Sequence, residues 1–194
     1  MEARSEAATF EHPSGRATTE HETRDAASTE STESTVILGA GDGTPIWFLN
    51  SLARIKATAQ DTGGAYGLLE SLIPPGFSPP LHVHRREDES FWVLEGEFTF
   101  VCGGKAVRAQ AGTYVFLPRG VPHSFVVEGD APGRLLTMLT PGGGERFFIE
   151  AGRPAEQDSL PPAAPVDVAT LQRIARKFDM ELVGPPMQPR RGAP

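Results

Sequence analysis

Three of the five histidines, His82, His84 and His123, stand with Glu89 in two short segments whose spacing fits a metal centre. The first runs Gly76, five residues, His82-Val83-His84, four residues, Glu89, six residues, Gly96; the second runs Gly112, five residues, Pro118-Arg119-Gly120, two residues, His123. Residues two apart in a strand share a face, so His82 and His84 can turn two imidazoles toward one ion. Neutral imidazole suits first-row transition metals. Glu89 regains that face if Arg85-Arg86-Glu87-Asp88 bends, and Glu87 and Asp88 themselves read as a solvated turn. His123 must come from another strand. Pro118 and Gly120 are turn residues, so Gly112 to Pro118 and His123 to Val127 read as a hairpin that carries the third imidazole in.

The residues around this group are apolar. Phe91 and Val93 share the strand parity of Glu89, and Phe125 and Val127 that of His123, which predicts a dry pocket lined by these side chains. Phe100, Tyr114 and Met138 complete the predicted lining, while Trp47 and Trp92 read as structural. Three imidazoles and one carboxylate leave coordination positions open, which suits Fe(II), Mn(II), Co(II) or Ni(II) and admits Zn(II).

Short strands must position these groups. With 21 glycines and 18 prolines in 194 residues, the chain is punctuated for tight turns. Candidate strands cover residues 35–39, 45–49, 52–57, 66–73, 82–84, 90–94, 97–101, 105–109, 114–117, 123–127 and 134–140. Gly103-Gly104 marks a hairpin tip. The pattern predicts an all-β sandwich or barrel, of which the jelly roll is one. Past it the period changes: Asp167 can cap a helix in which Val168, Leu171, Ile174, Ala175 and Phe178 share one face. Residues 35–153 are thus expected to form the barrel, 154–186 a linker and C-terminal amphipathic helix ended at Gly184-Pro185-Pro186, and 187–194 a frayed tail.

Residues 1–34 hold eight acidic and three basic side chains and carry −5 of the net −7. Rich in Ser, Thr and Glu, they read as a disordered leader. The nearly neutral remainder has no electrostatic footprint for nucleic acid. Cys102 is the sole cysteine, which excludes an internal disulfide and fits a reducing compartment. No apolar run is long enough for a membrane span, and the start lacks a secretory h-region, so the expectation is a cytoplasmic protein without membrane contact.

The two histidine segments resemble the two motifs of the cupin superfamily: Gly, HxH, Glu and Gly, then Gly, PxG, His and often Asn. Val127 stands where that Asn is found, and Asn50, the sole asparagine, lies elsewhere. From about Thr35 to Pro186, Asp61-Thr62-Gly63-Gly64, Pro74-Pro75-Gly76, the HxH block, Pro118 to His123 and Pro141-Gly142-Gly143 before Glu145-Arg146-Phe147-Phe148 are similar in order to small single-domain bacterial cupins of the quercetin-dioxygenase-like group. The resemblance implies a double-stranded β-helix, or jelly-roll, barrel with His82, His84, Glu89 and His123 as ligands to one divalent metal, Fe(II) first. It implies a second role for Glu89, taking a proton from a substrate hydroxyl. The implied activity is a dioxygenase acting with dioxygen on a small, partly apolar hydroxylated or enolic molecule. An isomerase or cyclase without oxygen chemistry and a non-catalytic binder are the alternatives, with an enzyme favoured. A homodimer is expected, because related single domains cover their sheet edges by pairing.

Overall fold

A computed structural model describes residues 35–39 and 41–190, so the expected leader lies outside the described residues. Two antiparallel sheets face each other. The first contains β1 (Thr44–Phe48), β2 (Ser51–Ala57), β3 (Gly67–Ile73), β5 (Asp88–Glu95), β8 (Tyr114–Leu117), β10 (Gly133–Thr140) and the two-residue β11 (Arg153–Pro154), in the order β11-β1-β2-β3-β10-β5-β8. The second contains β4 (Pro80–His84), β6 (Glu97–Cys102), β7 (Lys105–Gln110), β9 (His123–Glu128) and β12 (Met180–Pro186), in the order β12-β4-β9-β6-β7. This is the expected all-β jelly-roll architecture. A short helix α1 (Glu145–Ala151) follows β10, and the expected C-terminal helix α2 is Val168–Ala175.

Alternation along the strands explains the layering. In β10 the residues Leu135, Thr137 and Leu139 are buried while Arg134, Leu136 and Met138 are less so, and β3 alternates in the same way. Their inner faces meet Phe91, Val93, Phe98, Phe100 and Val127 in one core cluster. Inside it Phe91, Phe98, Phe100 and Phe125 pack with ring centroids 5.2 to 5.9 Å apart, in the tilted and edge-on arrangements that aromatic quadrupoles favour. The hairpin tip behaves as its sequence demands: Cys102 pairs with Lys105, and Gly103 and Gly104 both take positive φ.

Three features depart from the sequence reading. Residues 35–39 form no strand. The segment Gly112 to His123 is no hairpin: β8 pairs with β5 in one sheet and β9 pairs with β4 and β6 in the other. Its turn therefore carries the chain between sheets, and the Gly120 N–H donates to the His84 carbonyl at 2.7 Å, which anchors the crossing on β4. Finally, Met180–Pro186 is a strand along the free edge of β4, with Met180 opposite His84 and Leu182 opposite His82. Pro185 and Pro186 obscure it in sequence, yet proline is tolerated on an edge strand. Beyond it the Met187 N–H donates to Ser78 Oγ and the Arg190 N–H to Glu128 Oε2.

A buried carboxylate ties the C-terminal elements to the barrel. Glu145, at the start of α1, accepts the Ala59 N–H at 2.9 Å and the Gly143 N–H at 2.7 Å. A Cβ on Gly67 would overlap this carboxylate, so glycine makes room for it. Glu145→Ala leaves both donors without their partner, and the expected loss of stability is about 2 kcal/mol, measurable by chemical denaturation. Helix α2 then closes one end of the barrel. Asp167 caps it through the Thr170 N–H, and Leu171, Ile174 and Ala175 pack against Phe147 and Met180.

Candidate metal centre

Three strands and both sheets contribute to the centre. His82 and His84 project from β4, and His123 from β9, where it is the register partner of His82. Glu89 comes from the opposite sheet, on β5 between Leu117 and Leu139. One ligand atom from each of the four lies within 4.8 Å of the other three. His84, His123 and Glu89 are buried, and His82 is partly exposed where it lines the cavity.

The imidazoles are oriented from behind. His82 Nδ1 donates to the Pro80 carbonyl at 2.7 Å, and His123 Nδ1 to the Val121 carbonyl at 2.8 Å. Each bond turns the ring's other nitrogen inward, the arrangement that metal-binding histidines use. His123 Nε2 lies 3.2 Å and His84 Nε2 3.7 Å from Glu89 Oε2. Two imidazole planes, those of His84 and His123, are nearly parallel at 8°.

Electrostatics prepare the donors. Burial, reinforced by the neighbouring His123 and His84, pushes His82 down to about 3, so its ring is neutral near neutral pH. Burial opposes the charge of Glu89, but the His123 hydrogen bond and the surrounding imidazoles prevail and bring its carboxyl down to about 2. Burial likewise works against protonated His123, and the Glu89 carboxylate outweighs it and raises that pKa. Neutral imidazole beside an ionised carboxylate is a donor set for a divalent transition metal, and these residues fit one.

Beside the centre lies a cavity lined mainly by apolar groups. Phe91 and Phe125 reach it, as their parity predicts. The other expected lining residues sit elsewhere. Val93, Phe100 and Val127 are packed in the core cluster behind the cavity wall. Tyr114 is 54% exposed and its hydroxyl meets Ser90 Oγ at 3.0 Å on the outer face of the sheet. Met138 belongs to the outward set of β10, since the alternate residues Leu135 and Thr137 line the cavity. Parity alone could not decide these cases, because it orders residues within one strand and leaves the register between strands open.

Several lining residues escaped the sequence reading. Phe48 from the end of β1, Ser51 from the start of β2, Ser71 and Ile73 from β3, Phe147 and Phe148 from α1, Leu171 from α2, and Met180 and Leu182 from β12 all reach the cavity. The alternation Leu69-Ser71-Ile73 carried a signal for β3. The contribution of the C-terminal elements carried none, because it depends on how they dock. Glu87 is a second correction. It is 5% exposed, not part of a solvated turn, and its Oε2 lies 3.8 Å from His84 Nδ1. Its neighbour Asp88 accepts from the backbone and guanidinium of Arg119, whose hydrogen bonds bring its carboxyl down to about 2.

Known proteins resemble this chain in sequence and fold. Residues 69–139 match the protein family described as Cupin_2, cupin domain. Quercetin 2,3-dioxygenase of Bacillus subtilis is 26% identical over 133 residues, which cover 69% of this chain and 39% of that protein. An oxalate-binding protein of Thermotoga maritima is 36% identical over 67 residues, or 34% of this chain and 55% of that protein. The chain thus spans only part of the length of either relative. The crystal structure of a predicted oxalate decarboxylase from Thermotoga maritima superposes with a TM-score of 0.51 at 25% identity, covering 54% of this chain and 98% of that one. Fold, motif spacing and sequence similarity agree: residues 69–139 match the cupin domain, and the chain is similar to known cupin proteins.

Proposed function

We propose that this chain is a metal-dependent cupin enzyme in which His82, His84, Glu89 and His123 hold one divalent transition metal, with Fe(II) the first choice. It acts on a small, partly apolar molecule with a phenolic or enolic hydroxyl, and the reaction is a dioxygenation. One observation carries this reading: four convergent donors open onto a cavity walled by Phe48, Phe91, Phe125, Phe147 and Phe148. When bound, the ion supplies Lewis acidity toward a hydroxyl oxygen and, as iron, access to dioxygen chemistry.

The chain's own residues bind and orient. The phenylalanines take the apolar body of the substrate and exclude water. Glu89 serves first as a ligand and second as the group within reach of a hydroxyl proton. The likeness to quercetin 2,3-dioxygenase supports a hydroxylated aromatic substrate. Likeness to an oxalate-binding protein supports a second reading, a binder of small dicarboxylates. The lining weighs against it, since beyond the metal itself no lysine or arginine lines the described cavity to hold the second carboxylate of a dianion.

Oxygen uptake tests the reaction. Iron-loaded protein given a panel of flavonols and catechols is expected to consume dioxygen in step with substrate. Turnover of the same substrate under anaerobic conditions would instead establish an isomerase or cyclase.

A homodimer, cytoplasmic in location, is part of the proposal. β8 is an edge strand, and on the outer face of β5 and β8 Trp92, Tyr114 and Phe116 are about half exposed, an apolar edge that pairing would cover. Sedimentation at micromolar concentration is expected to give twice the chain mass, and a monomer would overturn the dimer. No helix among the described residues is long and apolar enough to cross a membrane.

A further inference from the structure

An imidazole that binds a metal through Nε2 needs its Nδ1–H held, because that bond fixes both tautomer and ring angle. His82 and His123 each have a backbone carbonyl two residues upstream for this purpose. His84 has none. Among the described residues its Nδ1 is buried without a hydrogen-bond partner, and so is Glu87 Oε2. These two atoms face each other at 3.8 Å.

Two orphaned polar atoms side by side in a buried place are costly apart and complementary together. A shift of about 1 Å would bring them to ordinary hydrogen-bond distance. Room for the carboxylate is provided: a Cβ on Gly144 would stand 3.2 Å from Glu87 Cγ and 3.4 Å from its Cδ, so glycine there lets the side chain lie beneath the β10–α1 loop. On the far side of the ring, His84 Nε2 points toward Glu89, into the centre. The neighbouring Asp88–Arg119 pair fastens the start of β5 to the turn that leads to His123.

We infer that Glu87 is a positioning residue whose carboxylate accepts the His84 Nδ1–H, holds Nε2 toward the metal position and strengthens that nitrogen as a donor. The inference rests on the metal reading above. It makes the three histidines unequal: two are oriented by neutral carbonyls and one by an anion. His84 is therefore the strongest imidazole donor of the set.

Cobalt(II) is the probe, because it reports both affinity and ligand field. Full-length metal-free wild type, Glu87→Gln and Gly144→Ala are titrated with Co(II) against a competing chelator, and visible spectra are recorded. Wild type is expected to take one Co(II) per chain. Glu87→Gln is expected to bind it about ten- to a hundred-fold more weakly, with ligand-field bands moved to longer wavelength. Gly144→Ala, which crowds Glu87 without altering any ligand, is expected to shift both readouts in the same direction and decides the matter if Glu87→Gln fails to fold. Unchanged affinity and bands in the folded variants would overturn the role of Glu87 and leave the metal reading intact. Failure of wild type to bind Co(II) would overturn the metal reading, and the positioning role with it.

Discussion

His123→Ala is expected to reduce bound metal from about one ion per chain to near zero, measured by elemental analysis of protein purified from metal-replete medium. No other member of the centre is so connected. His123 is the cross-strand partner of His82, lies parallel to His84, and hydrogen-bonds Glu89 across the gap between sheets. Removing it takes one donor from four and also leaves the Glu89 carboxylate, which is 4% exposed, without its hydrogen-bond partner. Cys102→Ala is the matched control, since Cys102 is the β6 register partner of His123 and belongs to no cluster of ligand atoms among the described residues. It is expected to retain full metal content. Undiminished metal in folded His123→Ala would remove His123 from the ligand set and with it the reading of the second motif.

What the sequence revealed here and what it concealed have separate physical causes. The pair His82 and His84 was legible because a strand's period of two is local. The turn at Pro118-Arg119-Gly120 was legible because proline and glycine restrict or free the backbone on their own. What that turn joins was not. A reversal between strands of one sheet and a crossing between two sheets use the same residues, and the choice depends on β8 finding β5 and β9 finding β4 and β6. The burial of Glu87 has the same origin, for a carboxylate in a run of charges looks solvated until the loop around Gly144 closes over it. Strand β12 was hidden by its own composition, as Met180–Pro186 gains its pairing from the exposed edge of β4 and needs little strand propensity of its own. The outward placement of Tyr114 and Met138 follows from register, a property of strand pairs that no single strand contains.

Val127→Asn is expected to destabilise the protein by about 3 kcal/mol, although asparagine is the residue common at this place in the resembled motif. Val127 is fully buried and packs with Ile73, Phe98 and Leu135 in the core cluster, behind the cavity wall. Its own backbone needs no help from a side-chain amide: the N–H donates to the Phe77 carbonyl at 3.0 Å and the carbonyl accepts the Gly76 N–H at 3.1 Å. An amide side chain would bring a donor and an acceptor into a cluster that offers neither, and it would also lose the apolar contact of the valine methyls. With a urea slope of about 2 kcal/mol per molar, the unfolding midpoint should fall by about 1.5 M. Val127→Thr, nearly the same shape with a single hydroxyl, should fall by about half as much. The apolar character of the cavity consequently rests on Phe48, Phe91, Phe125, Phe147 and Phe148, not on Val127, so metal content should survive in whatever fraction of Val127→Asn is folded. Equal midpoints for wild type and Val127→Asn would mean that this position reaches a polar space, and the substrate pocket would then have to be redrawn to include it.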